Sequence, residues 1–442
     1  MNRLTVTSIE VADNRLTINF ECKGQIRKLF NETQFIVEYD TSIQEVPEAL
    51  LIIPFLSTVA PIAWANQANI FVKNVDATFY QSLELVRKTL ERFYPKMEFN
   101  GKIYAENVEF LPTTNQTGKM ALFSGGLDSL ATFVRHQKEN PILVSVLDAP
   151  LVAKRRLSPN YRHLNVNSEN IKLLFNSIKP EIRIIVSNWM NIPNLFALRI
   201  YEQKLSGEWY MRVMHGLAFI GLCAPLAFVE KVDKLYIASS FTADAQIPWG
   251  SHPDIDNKVK WTGTSIEHDG YELSRQEKMF LIADYIQKYE PTLQITACNA
   301  TTRNSRTIGR NCNVCEKCNR TILGLEIAGI DPNEHGYSVN SETFLQMRKK
   351  IESGTWLFGD DEIYMWRDLQ KYGSNAQNLP HREAQAFLDW LRKIDVESLR
   401  SKDSNKMRID QRFIMLPYPV LKLTEKLYHL ARLWLTRLKI YV

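Results

Sequence analysis

Between Lys119 and about residue 328, short apolar runs alternate with helix-length amphipathic segments. That alternation restricts the fold of this chain more than any other feature. The runs lie at 120–123, 142–147, 182–186, 235–238 and 293–296, and helical spacing recurs near 127–138, 168–178, 209–230 and 274–288. Strands that take turns with helices build a parallel sheet covered on both faces, an α/β fold. Ligands of such sheets bind beyond the carboxyl ends of the strands. One segment interrupts the pattern. Residues 241–272 are polar and rich in turn formers, and read as a long functional loop, with Trp249, His252 and Trp261 arguing against disorder.

The flanks read differently. In residues 1–115, alternating or β-branched runs at 4–9, 16–20 and 35–39, with a turn at Asp13-Asn14, predict antiparallel strands. Leu83, Val86, Leu90 and Phe93 share one helical face. This is an α+β accessory domain without a cluster of catalytic residue types. Residues 331–442 predict a helical extension. From Arg400 onward it carries ten Lys or Arg against three acids, and its last helix aligns Val420, Leu423, Leu427, Leu430, Trp434 and Leu438. A packed terminal helix with a solvated basic face accounts for that stripe, and a partner-, RNA- or membrane-binding helix is the sharper reading. The α/β unit is then 116–330.

A net charge of +5, from 54 bases and 49 acids, is too even to indicate nucleic acid. The first residues begin a strand pattern with no apolar leader, and the longest apolar run, 217–229, is too short for a bilayer. A cytoplasmic chain with no membrane partner is expected.

Residues 124–129 read Ser124-Gly125-Gly126-Leu127-Asp128-Ser129, between the first strand of this unit and its helix. A helix start presents unpaired N–H groups and a positive dipole end, so it attracts anions. Gly125 and Gly126 let the backbone approach phosphate, and Ser124 and Ser129 add hydroxyls. The lysine of the GxxxxGK[ST] phosphate loop is absent. Asp128 stands near the phosphates instead, and Mg²⁺ is expected to relieve the repulsion. Farther on, Cys298, Cys312, Cys315 and Cys318 fall within 21 residues. Four thiolates suit a closed, structural, tetrahedral Zn²⁺ site, and the CxxCxxC spacing also serves iron–sulfur clusters. Cys22 and Cys223 are isolated in apolar settings.

The SGGLDS loop resembles the pyrophosphatase loop of the PP-loop ATPases. Followed by the cysteine motif, it resembles the 7-cyano-7-deazaguanine synthase (QueC) family over residues 118–330, and Cys315-Glu316-Lys317-Cys318-Asn319-Arg320 looks like the end of that family's zinc motif. The resemblance implies an adenine nucleotide alpha-hydrolase-like fold and ATP held by residues 124–129. Asp128, Ser129 and Arg212 would be catalytic, and ATP would be cleaved at the α-phosphorus to adenylate the carboxylate of a 7-deazaguanine. It places Ser239 and Ser240 at the cleft and Arg275 at a substrate-side helix start. Ser274-Arg275-Gln276-Glu277 is equally a plain capping box. His252 and Asp254 are candidates for base contacts or simple turn residues. The added flanks and the altered 241–272 segment look like the QueC-like proteins of anti-phage defence systems, such as the QatC and CBASS-associated types. That likeness implies a protein partner encoded nearby and an amine acceptor other than ammonia. A tRNA-modifying PP-loop enzyme and a non-catalytic nucleotide-binding scaffold are the competing readings.

Overall fold

All seven apolar runs of the first 238 residues that read as strands lie in one sheet, and it is larger than expected. The computed structural model describes residues 2–401, apart from 114, 149–173, 176, 246 and 299–310, with short pieces between 416 and 427. The strands are β1 (Arg3–Ala12), β2 (Arg15–Lys23), β3 (Gln34–Tyr39), β4 (Asn69–Asp76), β5 (Ile103–Glu109), β6 (Gly118–Leu122), β7 (Ile142–Asp148), β8 (Ile182–Ser187), β9 (Val232–Ala238), β10 (Lys260–Trp261) and β11 (Thr264–Asp269). They make one mixed sheet in the order β10-β11-β9-β6-β7-β8-β3-β2-β1-β4-β5. The longer helices used below are α1 (Ile53–Ala65), α2 (Ala77–Phe93), α3 (Leu127–His136), α4 (His215–Leu222), α5 (Arg275–Lys288), α6 (Glu316–Ile327), α7 (Thr343–Glu352), α8 (Asp360–Gly373) and α9 (Arg382–Leu391).

β11, β9, β6, β7 and β8 run parallel. The chain steps from β6 outward to β7 and β8, then returns to the other side of β6 for β9 and β11. The winding reverses between β6 and β9, and in open α/β sheets that reversal opens the ligand crevice. β6, β7, β8 and β9 send apolar residues to both faces because both are covered. Met120, Val144, Leu235 and Ile237 enter one core with α1 and α4. Their neighbours Ala121, Leu143 and Tyr236 enter the other, with α3, α5, α6 and the C-terminal helices α7 to α9.

Three expectations change. Residues 1–115 share the sheet: β3 pairs antiparallel with β8, Ser187 Oγ donates to Ile36 O (2.8 Å), and Asn188 Oδ1 accepts from Ile36 N (2.9 Å). Tyr39 also donates to Leu222 O (3.0 Å), and α1 lies on α4 so closely that a Cβ at Gly221 would fall 2.1 Å from Ser57 Oγ. Segment 241–272 is not a plain loop, because it contains β11, parallel to β9. Its polarity hid it: the buried positions are Thr264, Ile266, His268 and Asp269, and His268 Nδ1 meets Asp256 at 2.8 Å. Residues 293–296 form no strand. Their amides bond to other loops, Gln294 N to Leu174 O and Ile295 N to His335 O.

Tyr210–Val229 is long and apolar enough to cross a membrane by length and composition, yet 72% of its apolar window is buried inside the fold. A core helix passes the same test. Within the terminal stripe, Val420, Leu423 and Leu427 are exposed, while Leu430, Trp434 and Leu438 lie outside the described residues, as does most of the expected 168–178 helix.

Candidate functional site

The loop 124–129 leaves the end of β6, next to the reversal. Phe123 N donates to Val144 O (2.7 Å), the last ladder-like bond before the turn. Gly125 has φ +77°, a conformation that costs glycine little, and a side chain there would also press on Leu174, whose Cδ1 would be 3.0 Å from its Cβ. The serines brace the turn. Ser129 Oγ donates to Gly126 O (2.9 Å) and lies 3.3 Å from both Ser124 N and Ser124 Oγ, while Gly126 N donates to Ser124 Oγ (3.3 Å). Gly126 is the N-cap of α3 and has no side chain to cap it. The start of α3 therefore keeps first-turn amides for an external acceptor.

Asp128 lies in that first turn among cations. Arg275 Nη1 donates to its Oδ2 (2.9 Å), and Lys278 Nζ stands 3.7 Å from its Oδ1. Burial would raise the Asp128 carboxyl, but Arg275, Lys278 and Arg320 outweigh it and hold it below the ordinary carboxylate range. Lys278 is 2% exposed and also donates to Ser239 O (2.5 Å) at the end of β9. One ammonium thus spans the reversal, from the last residues of β9 to the loop after β6. Burial pulls Lys278 below the usual lysine range against the pull of Asp128. The helix that brings Arg275 and Lys278 is fixed by a full capping box, Ser274 with Glu277, and Glu277 also accepts from Tyr372 (2.7 Å). The capping reading of 274–277 is correct, and Arg275 beside it reaches the loop.

Mg²⁺ fits this donor set poorly among the described residues. Asp128 Oδ2 accepts from Arg275, and Oδ1, without a hydrogen bond, stands 3.7 Å from the Lys278 ammonium, so the neutralisation expected of a metal is supplied by side chains.

The four cysteines converge. All their Sγ atoms lie within 4.8 Å of one another, with Cys298–Cys315 at 3.9 Å and Cys312–Cys318 at 3.8 Å. Thiolates about 2.3 Å from a tetrahedral ion stand about 3.8 Å apart, so the cluster could hold one metal ion. Cys315 is the N-cap of α6, accepting from Cys318 N (3.4 Å), and the knuckle starts the helix that carries Lys317 and Arg320.

The other predicted residues lie elsewhere. A cavity of about 870 Å³ opens where 93–96, 204–206, 242–248, the start of α5 and α8 meet. Arg212 lines it, in a π-helical turn (Tyr210–Met214), and donates to Pro248 O (2.5 Å) and Ser206 O (3.0 Å) rather than to the loop. No residue of 124–129 lines this cavity. Ser274 and Glu277 face it while Arg275 and Lys278 face Asp128, so the first turn of α5 divides the two spaces. Ser239 is buried, its hydroxyl donating to Phe241 O, and Ser240 is half-buried beside it. His252 caps a short helix through Asp254 N (3.1 Å) and meets Tyr271 Oη (3.1 Å), while Asp254 pairs with Arg92. These two are turn residues bonded into the fold, and burial lowers the His252 imidazole.

Lys278 and Arg320 were missed as site residues. Lys278 stands one residue past the capping box and Arg320 ends the cysteine motif, and nothing local distinguishes either from a surface base. Compared with known proteins, the chain matches no family model, no curated protein and no solved structure.

Proposed function

We propose that this protein is a PP-loop enzyme of QueC-like type, with an adenine nucleotide alpha-hydrolase-like core, that adenylates a carboxylate with ATP and passes the acyl group to an amine. One observation carries the reading: an SGGLDS loop with an uncapped helix start sits beside the winding reversal of a parallel sheet, faced by Arg275 and Lys278. In this reading the α3 amides and those cations bind the pyrophosphate end of ATP. A carboxylate oxygen of the acid attacks the α-phosphorus, the bond to pyrophosphate breaks, and pyrophosphate leaves with its charge already matched. The amine nitrogen then attacks the acyl carbon and AMP departs. The 870 Å³ cavity across the first turn of α5 is of a size for the acid or the acceptor. Its walls come partly from 93–96 and α8, outside the unit that resembles QueC, which favours a partner protein's amine over ammonia. A 7-carboxy-7-deazaguanine is the acid proposed, in an anti-phage setting. The cysteine knuckle would hold a structural Zn²⁺, because four thiolates leave no open position.

tRNA thiolation is disfavoured by the remaining thiols. Burial pushes Cys22 up to about 12 and raises the fully buried Cys223 as well, so neither supplies a thiolate. The test is pyrophosphate release from ATP with 7-carboxy-7-deazaguanine, followed by mass spectrometry with and without neighbouring gene products. Release dependent on the acid is expected. Nucleotide binding without any release would identify a scaffold instead.

A further inference from the structure

We propose that β5, the outer edge of the sheet, pairs antiparallel with β5 of a second copy of this chain, joining two sheets about a twofold axis. The two edges of the sheet are finished differently. At one, β10 has only two residues, Trp261 is 2% exposed, and Lys260 O accepts from Ser82 Oγ of α2 (3.3 Å). At the other, β5 runs seven residues beside β4 without a bulge and carries no lysine or proline. Long edges that lack those guards are templates for another strand. Ile70 N donates to Lys102 O (2.8 Å), so even-numbered residues of β5 turn their backbone to β4 and odd-numbered ones turn theirs outward. Tyr80 Oη donates to Ile103 O (2.9 Å) and closes the edge at that end. From Ala105 to Glu109 the outward groups bond to nothing among the described residues.

The side chains select the occupant and the register. Tyr104, Val108 and Phe110 are 45%, 43% and 83% exposed along this edge, and Tyr104 is steadied by stacking on Phe71 (ring centroids 5.1 Å apart). Two copies paired about Asn107 exchange N–H···O bonds between their Asn107 residues and between Ala105 and Glu109. Tyr104 then stands opposite Phe110 of the second copy, and Val108 opposite its Glu106, each pair occurring twice by symmetry. Aromatic cross-strand pairs stabilise such a ladder, and no like charges meet in it. The neighbouring registers are worse. Pairing about Glu106 sets two Glu106 carboxylates face to face, and pairing about Val108 sets Tyr104 against Pro112 and loses the aromatic pairs. The edge is therefore self-complementary in one register, which fits a second copy of this chain. The loop after β6 lies seven strands inward, so the pairing leaves it open and does not depend on what it binds.

The test is sedimentation velocity on the full chain from about 1 to 100 μM, a range suited to a short ladder, with thermal unfolding as the check on folding. Wild type should pass from the 51.2 kDa monomer toward twice that mass as concentration rises. Charge at position 108 reads the register. Val108→Glu sets a carboxylate against Glu106 of the other copy, twice, and should weaken the dimer about tenfold. Val108→Lys sets an ammonium there and should tighten it severalfold, and both effects should shrink in high salt. Wild type that stays at 51.2 kDa throughout overturns the inference, as does a dimer equally strong in the two variants. Growth beyond two copies also overturns it, because a twofold edge contact closes. If Val108→Glu does not fold, Val108→Lys decides alone, and an unchanged dimer refutes the pairing.

Discussion

Helix α3 carries a buried carboxylate–cation network at each end, and the two networks are built to different standards. At its C-terminal end Asp269, 1% exposed, accepts from Thr132 Oγ1 (2.8 Å) and Arg135 Nε (3.0 Å) and meets His136 Nε2 (3.0 Å). His136 in turn meets Glu139 (2.8 Å) and stacks on Tyr236, whose hydroxyl donates to the same glutamate (2.8 Å). Every member has its partner. At the N-terminal end Asp128 Oδ1, Arg320 Nε and Arg320 Nη1 lack hydrogen bonds. A satisfied buried network fastens the fold, whereas an unsatisfied one costs stability unless a ligand completes it. The contrast is between a closed structural joint at one end of the helix and unpaired groups at the other, where the proposed nucleotide site lies.

The largest effect should come from removing charge at the open end. Asp128→Asn keeps an acceptor for Arg275 but unbalances the cations that Asp128 organises. Pyrophosphate release should fall about 10³-fold, roughly 4 kcal/mol of barrier, with little change in the unfolding midpoint. A variant that released pyrophosphate at the wild-type rate would remove Asp128 from the mechanism. The mirror change, Asp269→Asn, should do the reverse. It leaves Arg135 and His136 with a weakened partner in a dry site and should cost about 3 kcal/mol of stability, measured by urea unfolding. Release per folded molecule should be near normal. If Asp269→Asn instead lost activity at unchanged stability, the division between the two ends would be wrong.

The sequence makes one end of this contrast readable and hides the other. Residues 124–129 are contiguous and sit between a strand and a helix, so the loop could be recognised locally. The CxxCxxC run is local in the same sense. What completes the site comes from far away: Arg275 reaches Asp128 across 147 residues, and Arg320 from a helix beyond that. Neither partnership leaves a periodic trace. β11 escaped for a related reason. A strand that buries Thr264, His268 and Asp269 by hydrogen bonding looks polar, and hydrophobic patterning cannot find it. His252 and Asp254 stood open between base contact and turn, and the structure bonds both into the turn. The strands of residues 1–115 were legible from alternation, but their docking through β3 on β8 depends on edge pairing, which no local pattern encodes.

The smallest effect sharpens the closed end by pH. The sign differs for the two partners. Burial would lower His136, but its bonds to Asp269 and Glu139 prevail and raise it above 6.5. A raised folded-state value means that its contribution is complete below 6.5 and is lost as pH climbs through that raised value. Burial would raise Asp269, but His136, Thr132 and Arg135 prevail and lower it below 3.8. Its contribution is present above 3.8 and is lost as pH falls through the lowered value. Both act together between 3.8 and 6.5, so the α3–β11 joint should be firmest there. The chain has other histidines, so the wild-type profile alone does not isolate this pair. The difference between wild type and His136→Gln does. That difference in thermal midpoint should be greatest between pH 4 and 6.5 and shrink steadily on the alkaline side. A difference independent of pH would mean that His136 holds Asp269 as a neutral donor, and the closed end would then owe its strength to Arg135 and Thr132.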